Sequence, residues 1–285
     1  MKTYGDYYIE TRRTLKEAGI EAYNLEARLL VAHAAGKTME RLTADMNLYP
    51  SSAMGEKVRE LIERRLNGEP IAYVTGSWEF YGLPLVVDRS TLIPRMDTEV
   101  LVDTALKILR ARGKLDARVL DLCTGSGCIA CAIANALPAS RVVAADVDPR
   151  CVSICRRNVL LNNLSPRVTS IDADAAAAPP LLIGSFDMIV CNPPYIATAE
   201  IDTLDASVRD YEPHKALDGG EDGLFFYREI IRRWKAVIRD GGHIVFEVGE
   251  TQSGEVQKLL RLASFKDVGC EKDTAGIERV VFGRV

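Results

Sequence analysis

From Arg118 onward the chain alternates short runs of Val, Ile and Leu with longer stretches of helical periodicity. "RVLDLC", "RVVAAD", "RVTSID", "FDMIVC", "GHIVFEV" and "IERVVFGRV" read as strands. Between them "CIACAIANAL", "PRCVSICRRNVLLNN", "LFFYREIIRRWKAVI" and "SGEVQKLLRLA" read as helices. Apolar runs of this kind, separated by helical patterns, specify a mainly parallel, doubly wound α/β sheet. Ligands of such sheets bind beyond the carboxyl ends of the strands, where the strand order reverses. Asp121 to Gly127, Asp146, Asp174 and Asn192 all fall at strand ends or just past them.

The first ~70 residues read differently. Apolar positions recur every three or four residues, as amphipathic helices require. Asn24 is a candidate cap for "LEARLLVAHAA", which stops at Gly36. Ser51 or Ser52 is a candidate cap for "AMGEKVRELIERRL", which stops at Asn67-Gly68. Residues 71–93, with "EFYGLPLVVDRSTLI", are rich in aromatic and β-branched residues and read as a hairpin linker. The expected division is therefore 1–70 helical, 71–93 linking hairpin and 94–285 α/β.

"DLCTGSGCIA" passes from a strand through Gly125 and Gly127 into a helix, a shape that lets backbone approach a ligand closely. Asp146 closes the next strand, where a carboxylate can accept both hydroxyls of a ribose. The loop predicts a nucleoside-type cofactor site comprising Asp121, Cys123, Thr124, Gly125, Ser126, Gly127 and Asp146. Gly125-x-Gly127-x-x-Ala130 followed by an acid also fits a dinucleotide fingerprint, so the loop alone leaves S-adenosylmethionine and a nicotinamide cofactor both open. Thr124 and Ser126 are candidates either to bond the cofactor or simply to close the turn.

Asn192-Pro193-Pro194-Tyr195 separates the two readings. A residue before proline is held extended, so Asn192 cannot turn into a helix. The prolines fix φ and carry no N–H, leaving carbonyl acceptors without competing donors. The Asn192 side-chain oxygen and the Pro193 carbonyl thus form an acceptor pair, and Tyr195 adds a flat face. That arrangement suits a planar –NH2 group whose free face points at a methyl donor. An oxidoreductase reading leaves these four residues unexplained.

The segment matches the pattern Asp, Asn or Ser followed by Pro-Pro and an aromatic, and resembles class I (Rossmann-like) methyltransferases that modify planar amino nitrogens. With "GEPIAYVTGSWEFYGLPLVVD", "LIPRMDTEVLV", "YEPHKALDGGEDGLFFYREI" and "RVVFGR", the chain resembles the HemK/PrmC family over nearly its whole length. The resemblance implies a seven-stranded, mainly parallel sheet with a small helical N-terminal domain. It also implies N5 methylation, by S-adenosylmethionine, of the glutamine in the Gly-Gly-Gln loop of class I peptide chain release factors. Asp174 would then approach the adenine amino group. Phe80, Arg95 and Glu99 resemble positions that line or brace the cleft, alongside Asn192, Pro193, Pro194 and Tyr195. Met96-Asp97 stands where the family often has Pro-Glu, and Cys123 where glycine is frequent. A sister activity on a large-subunit ribosomal protein is disfavoured by the form of "PRMDTE".

Charge fits a protein substrate better than a nucleic acid. The net charge is −4, and residues 1–90 carry 12 basic against 13 acidic side chains. No basic excess is present of the kind that nucleic-acid binding requires, which weighs against the rival amines of adenine and guanine. No apolar run approaches the ~18 residues of a membrane span, and the start has no secretion signature, so the expected location is the cytoplasm. Cys123, Cys128 and Cys131 have the spacing of a plant-type iron–sulfur site, but small buried residues at a strand end and on an apolar helix explain them better, and no metal is expected.

Overall fold

The computed structural model describes residues 1–285, which form two compact units: 1–77 with 206–211, and 78–205 with 212–285. The first is helical, with α1 (Tyr4–Glu17), α2 (Tyr23–Ala35), α3 (Met39–Ala44), α4 (Met54–Leu66) and α5 (Ile71–Thr75). Thr3 caps α1 through a reciprocal pair: its hydroxyl accepts Asp6 N and its backbone N donates to Asp6. Leu15, Leu30, Val31, Leu42 and Val58 form its core.

Two expected caps are corrected. α2 begins at Tyr23 with Ala22 at its N-cap, so Asn24 lies inside the helix and caps nothing. α4 has Ala53 at its N-cap; the backbone carbonyl of Ser51, not a serine hydroxyl, accepts Met54 N. Gly36 does end α2, in the left-handed conformation. The helical stretch runs on to Thr75, so the hairpin occupies the middle of 71–93: β1 (Ser77–Phe80) and β2 (Leu83–Val86). Tyr81 and Gly82 both have positive φ, the geometry of a tight two-residue hairpin turn.

The second unit continues with α6 (Thr98–Ala111), β3 (Arg118–Leu122), α7 (Cys128–Ala136), β4 (Arg141–Asp146), α8 (Pro149–Leu161), β5 (Val168–Asp172) and β6 (Phe186–Cys191). A helical turn, α9 (Ala206–Arg209), lies in the segment that groups with the first unit. Then follow α10 (Phe225–Trp234), β7 (Ile238–Glu247), α11 (Ser253–Leu262), β8 (Lys266–Lys272) and β9 (Glu278–Arg284). The seven strands run in the order β5-β4-β3-β6-β7-β9-β8, parallel from β5 to β7 and antiparallel at β9 and β8.

Because successive strand residues point to opposite faces, each strand feeds two cores. Val119, Met188, Val190 and Val245 pack beneath α6 and α7, whereas Leu120, Leu122, Ile189 and Phe246 pack beneath α10 and α11. The strand order reverses between β3 and β6. Leu122 pairs with Cys191 there, so Cys123 and Asn192 leave the sheet side by side.

Candidate active site

The glycine loop is shaped by positive φ at Cys123, Gly125 and Gly127. A Cβ on Gly127 would meet Cys155 Sγ at 2.5 Å, so glycine there lets α7 start hard against α8. Nothing lies within 4 Å of a Cβ position at Gly125, which faces open space. Asn158, fully buried on α8, donates to the carbonyls of Ser126 (2.8 Å) and Val86 (2.9 Å) and accepts Val86 N (2.7 Å). One side chain thus ties the loop to the hairpin.

Asp121 sits under the loop with no exposed surface. Its Oδ2 accepts Thr124 Oγ1 (2.5 Å) and Ala130 N (3.1 Å), while Oδ1 has no partner. Burial pushes its pKa up to about 7. Asp146, at the end of β4, accepts Gly125 N (2.9 Å) and Asp148 N (3.0 Å), one on each oxygen. Burial raises its pKa too, and the two backbone donors pull it back. A carboxylate oxygen accepts more than one bond, so each retains capacity for a hydroxyl.

The loop and Asp146 border a cleft with about 950 Å³ of empty space, open solvent included. Cys123, Thr124, Gly125, Ser126, Asp146, Asp174, Asn192 and Pro194 line it. Asp174 is exposed, with Oδ1 accepting Ala176 N (2.8 Å). Asp121 and Gly127 support the loop from behind.

At the other lip, Asn192 Nδ2 donates to Thr98 Oγ1 (3.3 Å). Pro193 and Pro194 are buried, and no protein donor reaches the Pro193 carbonyl. Tyr195 is half-buried, its hydroxyl 3.5 Å from Glu247 Oε1 and its carbonyl accepting Gln252 Nε2 (2.8 Å). The glycines of "DGGEDG" serve this corner: Gly219 N donates to Ile196 O, and Ile196 N to Leu217 O.

Of Asn192 to Tyr195, only Asn192 and Pro194 line the cleft, and three other expected residues also stand outside its wall. Phe80 is 2 % exposed, in the core with Leu85 and Leu101. Glu99 Oε1 accepts Tyr81 N (2.9 Å), fastening the hairpin to α6. Arg95 bonds the carboxylate of Glu212, which also accepts Ile93 N (3.3 Å). Burial raises the Glu212 pKa, and Arg95 opposes the rise. Pro213, Lys215 and Ala216, which follow Glu212, line the cleft, so this pair anchors part of its wall. Cys131 packs into the core and Cys128 between the core and the cleft, and burial pushes both thiols up.

Four contributors escaped the sequence reading: Thr98, Asn158, Glu247 and Phe226, which lines the cleft from α10. Glu247 carried a signal, an acid directly after the apolar run Ile244-Val245-Phe246.

Two family models match the chain: PrmC N-terminal domain over residues 6–76, and methyltransferase small domain over residues 97–209. A release factor glutamine methyltransferase of Clostridium botulinum is 38 % identical over 279 residues, covering 98 % of both chains. One of Geobacter sulfurreducens is 39 % identical over 275 residues, covering 96 % of this chain and 94 % of its own. Among solved structures, a methyltransferase from Pyrococcus furiosus has a TM-score of 0.52 at 17 % identity, covering 78 % of this chain and 96 % of that one, a likeness of fold.

Proposed function

The chain belongs to the release factor glutamine methyltransferases, and from that membership we propose that it methylates the side-chain amide nitrogen of the Gly-Gly-Gln glutamine in class I release factors. S-adenosylmethionine is the proposed donor; when bound, it supplies a methyl group on a positively charged sulfur. The cleft fits such a molecule. Gly125 presents an open backbone and Asp146 two carboxylate oxygens with capacity for ribose hydroxyls, while Asp121, behind the loop, keeps a buried oxygen without a partner. Thr124, Ser126 and Asp174 complete the proposed donor site.

One observation carries the reading: the Asn192 amide has its nitrogen turned inward to Thr98, so Oδ1 is the atom left for a ligand. Together with the Pro193 carbonyl it offers two acceptors to one –NH2 group. An amide nitrogen is a poor nucleophile because its lone pair is shared with the carbonyl. The acceptors gain strength as that nitrogen bonds carbon and its hydrogens become more positive. They also hold the nitrogen in line, where a displacement of about 1 Å costs ~10²-fold in rate. Glutamate is refused because a carboxylate would face two acceptors with nothing to donate, a mismatch that reaches ~10⁴-fold. The helical residues 1–70 are the proposed holder of the release factor, joined through 71–93 to the catalytic part at 94–285; the match of 6–76 to the PrmC N-terminal model supports this.

Mass spectrometry of a Gly-Gly-Gln tryptic peptide, after incubation of the release factor with enzyme and donor, tests the reaction. One added methyl on the glutamine is expected. An unmodified glutamine, with methyl appearing on nucleic acid instead, overturns it.

A further inference from the structure

The corner formed by Asn192 and Tyr195 has a buried carboxylate behind it. Glu247 ends β7, is 2 % exposed, and takes no part in lining the cleft. Cys191 of β6 pairs with Phe246 of β7, so Asn192 and Glu247 follow their strands side by side. The Tyr195 hydroxyl stands 3.5 Å from Glu247 Oε1, and the side chains of Thr98 and Asn192, bonded to each other at 3.3 Å, are among the groups that hold the carboxylate's pKa down. Tyr227, fully buried on α10, donates to the Glu247 main-chain carbonyl (2.9 Å) and fixes the strand end. Glu247 Oε2 has no close hydrogen-bond partner of its own.

We propose that Glu247 is a positioning residue that sets which way the Asn192 carboxamide points, and through it the preference for glutamine over glutamate. This rests on the reading of Asn192 as the acceptor for the substrate –NH2. An ionised carboxylate can only accept, so neighbours able to donate turn their hydrogens toward it. For Thr98 and Tyr195 that means rotating a hydroxyl. For Asn192 it decides the whole side chain. Nδ2 donates to Thr98 Oγ1 at 3.3 Å, and Oδ1 is left without a protein donor. A half-turn of the amide would set Oδ1 toward the carboxylate, acceptor against acceptor in a buried place, and would offer the substrate a donor. Without that bias both orientations become available, and the corner accepts carboxylate as readily as carboxamide.

The charge environment of Glu247 supplies a handle. Burial pushes its pKa up to about 7 and Asp97 adds to the rise, while Thr98, Arg279 and Asn192 oppose it. Arg279, on β9, is itself held between Asp97 and Asp273. The phenols of Tyr195 and Tyr227 and the thiol of Cys128 also face the carboxylate, and all three are pushed up by burial and so stay neutral. Below the midpoint Glu247 is protonated, can donate, and no longer enforces the orientation. Turnover at saturating donor should therefore fall as pH drops through about 7. Asp121 titrates in the same range, but it sits under the glycine loop, and its effect belongs to donor affinity.

The test compares wild type, Glu247→Gln and Thr98→Val on Gly-Gly-Gln and Gly-Gly-Glu release factors. Glu247→Gln should lower kcat about 10²-fold with KM and donor affinity within a few-fold. It should shrink the Gln/Glu preference from ~10⁴-fold and flatten the acid limb of the kcat profile. Thr98→Val, which keeps the shape and removes the hydroxyl link, should shift kcat and preference in the same direction. An unchanged preference and pH limb in both variants overturns the proposal, as does a loss that follows donor affinity alone. A wild type inactive on release factor refutes the proposed reaction but leaves Glu247 testable by side-chain amide NMR. The Asn192 Nδ2 protons should show contacts to Thr98 in wild type that weaken in Glu247→Gln, and equal contacts in both sink the inference.

Discussion

A Cβ on Gly219 would stand 2.8 Å from the Cα of Tyr195. The Cα of Gly223 and the carbonyl oxygen of Pro194 lie almost as close, both at 2.9 Å. All three are backbone atoms and cannot rotate away. Gly219 has no positive φ, so the contact alone excludes a side chain. Gly219→Ala should therefore push the 217–223 loop off the Pro-Pro-Tyr corner. We expect a loss of about 1–3 kcal/mol in stability, as for other overpacked sites, and a drop of ~10²-fold in kcat from misplacement of the acceptors. Urea unfolding and steady-state kinetics on the one variant check both. Wild-type turnover in a folded Gly219→Ala protein would show that the loop does not set the corner.

The two lips of the cleft should fail differently. Asn192→Ala removes an acceptor used only by the substrate, so transfer should fall at least ~10²-fold while donor affinity stays within a few-fold. Asp146→Ala removes a charged acceptor on the donor side; losing even one such hydrogen bond, worth about 1.5–3 kcal/mol, should lower donor affinity at least ~10- to 100-fold. Calorimetry with S-adenosylmethionine, run beside single-turnover kinetics, separates the two. Unchanged affinity in Asp146→Ala would remove that residue from the donor site.

How far the sequence reveals this site depends on whether a residue's role is local or assembled by the sheet. The glycine loop and Asn192 to Tyr195 are legible because glycine and proline constrain their own backbone. Glu247, Thr98 and Asn158 act through partners 52, 94 and 32 to 72 residues away, respectively, and no local pattern names those partners. Six strands are legible as apolar runs; β8 is not, because an edge strand bearing Lys266, Asp267 and Lys272 has only partly buried positions. α6 hides behind the motif "LIPRMDTEVLV", whose last residues are its first turns. Phe80 reads as a cleft residue from its motif, yet its side chain turns into the core.

Arg95 and Glu212 give a further prediction. The Glu212 side chain is 1 % exposed and that of Arg95 40 %. Removing the arginine leaves a buried carboxylate with Ile93 N as its remaining donor. Stripping the partner from a fully buried pair costs ~3–5 kcal/mol; here the guanidinium is partly in water, so Arg95→Ala should cost about 1–2 kcal/mol. Glu212→Gln, which leaves no buried charge, should cost less. Because the following residues line the cleft, Arg95→Ala should also weaken donor binding a few-fold. Denaturant midpoints for the two variants, with donor titrations, test this order.

His243 predicts a pH dependence of stability at the far end of the sheet from the site. It is 8 % exposed, its Nδ1 lies 3.1 Å from Arg112 Nη1, and burial followed by Arg112 and Arg284 lowers its pKa to about 4. A histidine depressed below its unfolded value of ~6.5 is neutral in the fold and takes up a proton on unfolding. Its contribution is fully present above about 6.5 and is lost as pH falls toward 4. Glu247 and Asp121 act in the opposite sense, since their raised values favour the protonated fold and lower stability as pH rises toward 7. The slope of wild type alone between pH 4.5 and 6.5 therefore mixes these opposing groups and does not isolate the histidine. His243→Gln cannot titrate, so the difference between its unfolding free energy and that of wild type should change by up to about 3 kcal/mol across this range. As the solution is acidified, wild type should lose stability relative to the variant. Parallel curves would mean that His243 gains its proton in the folded protein as easily as in the unfolded chain.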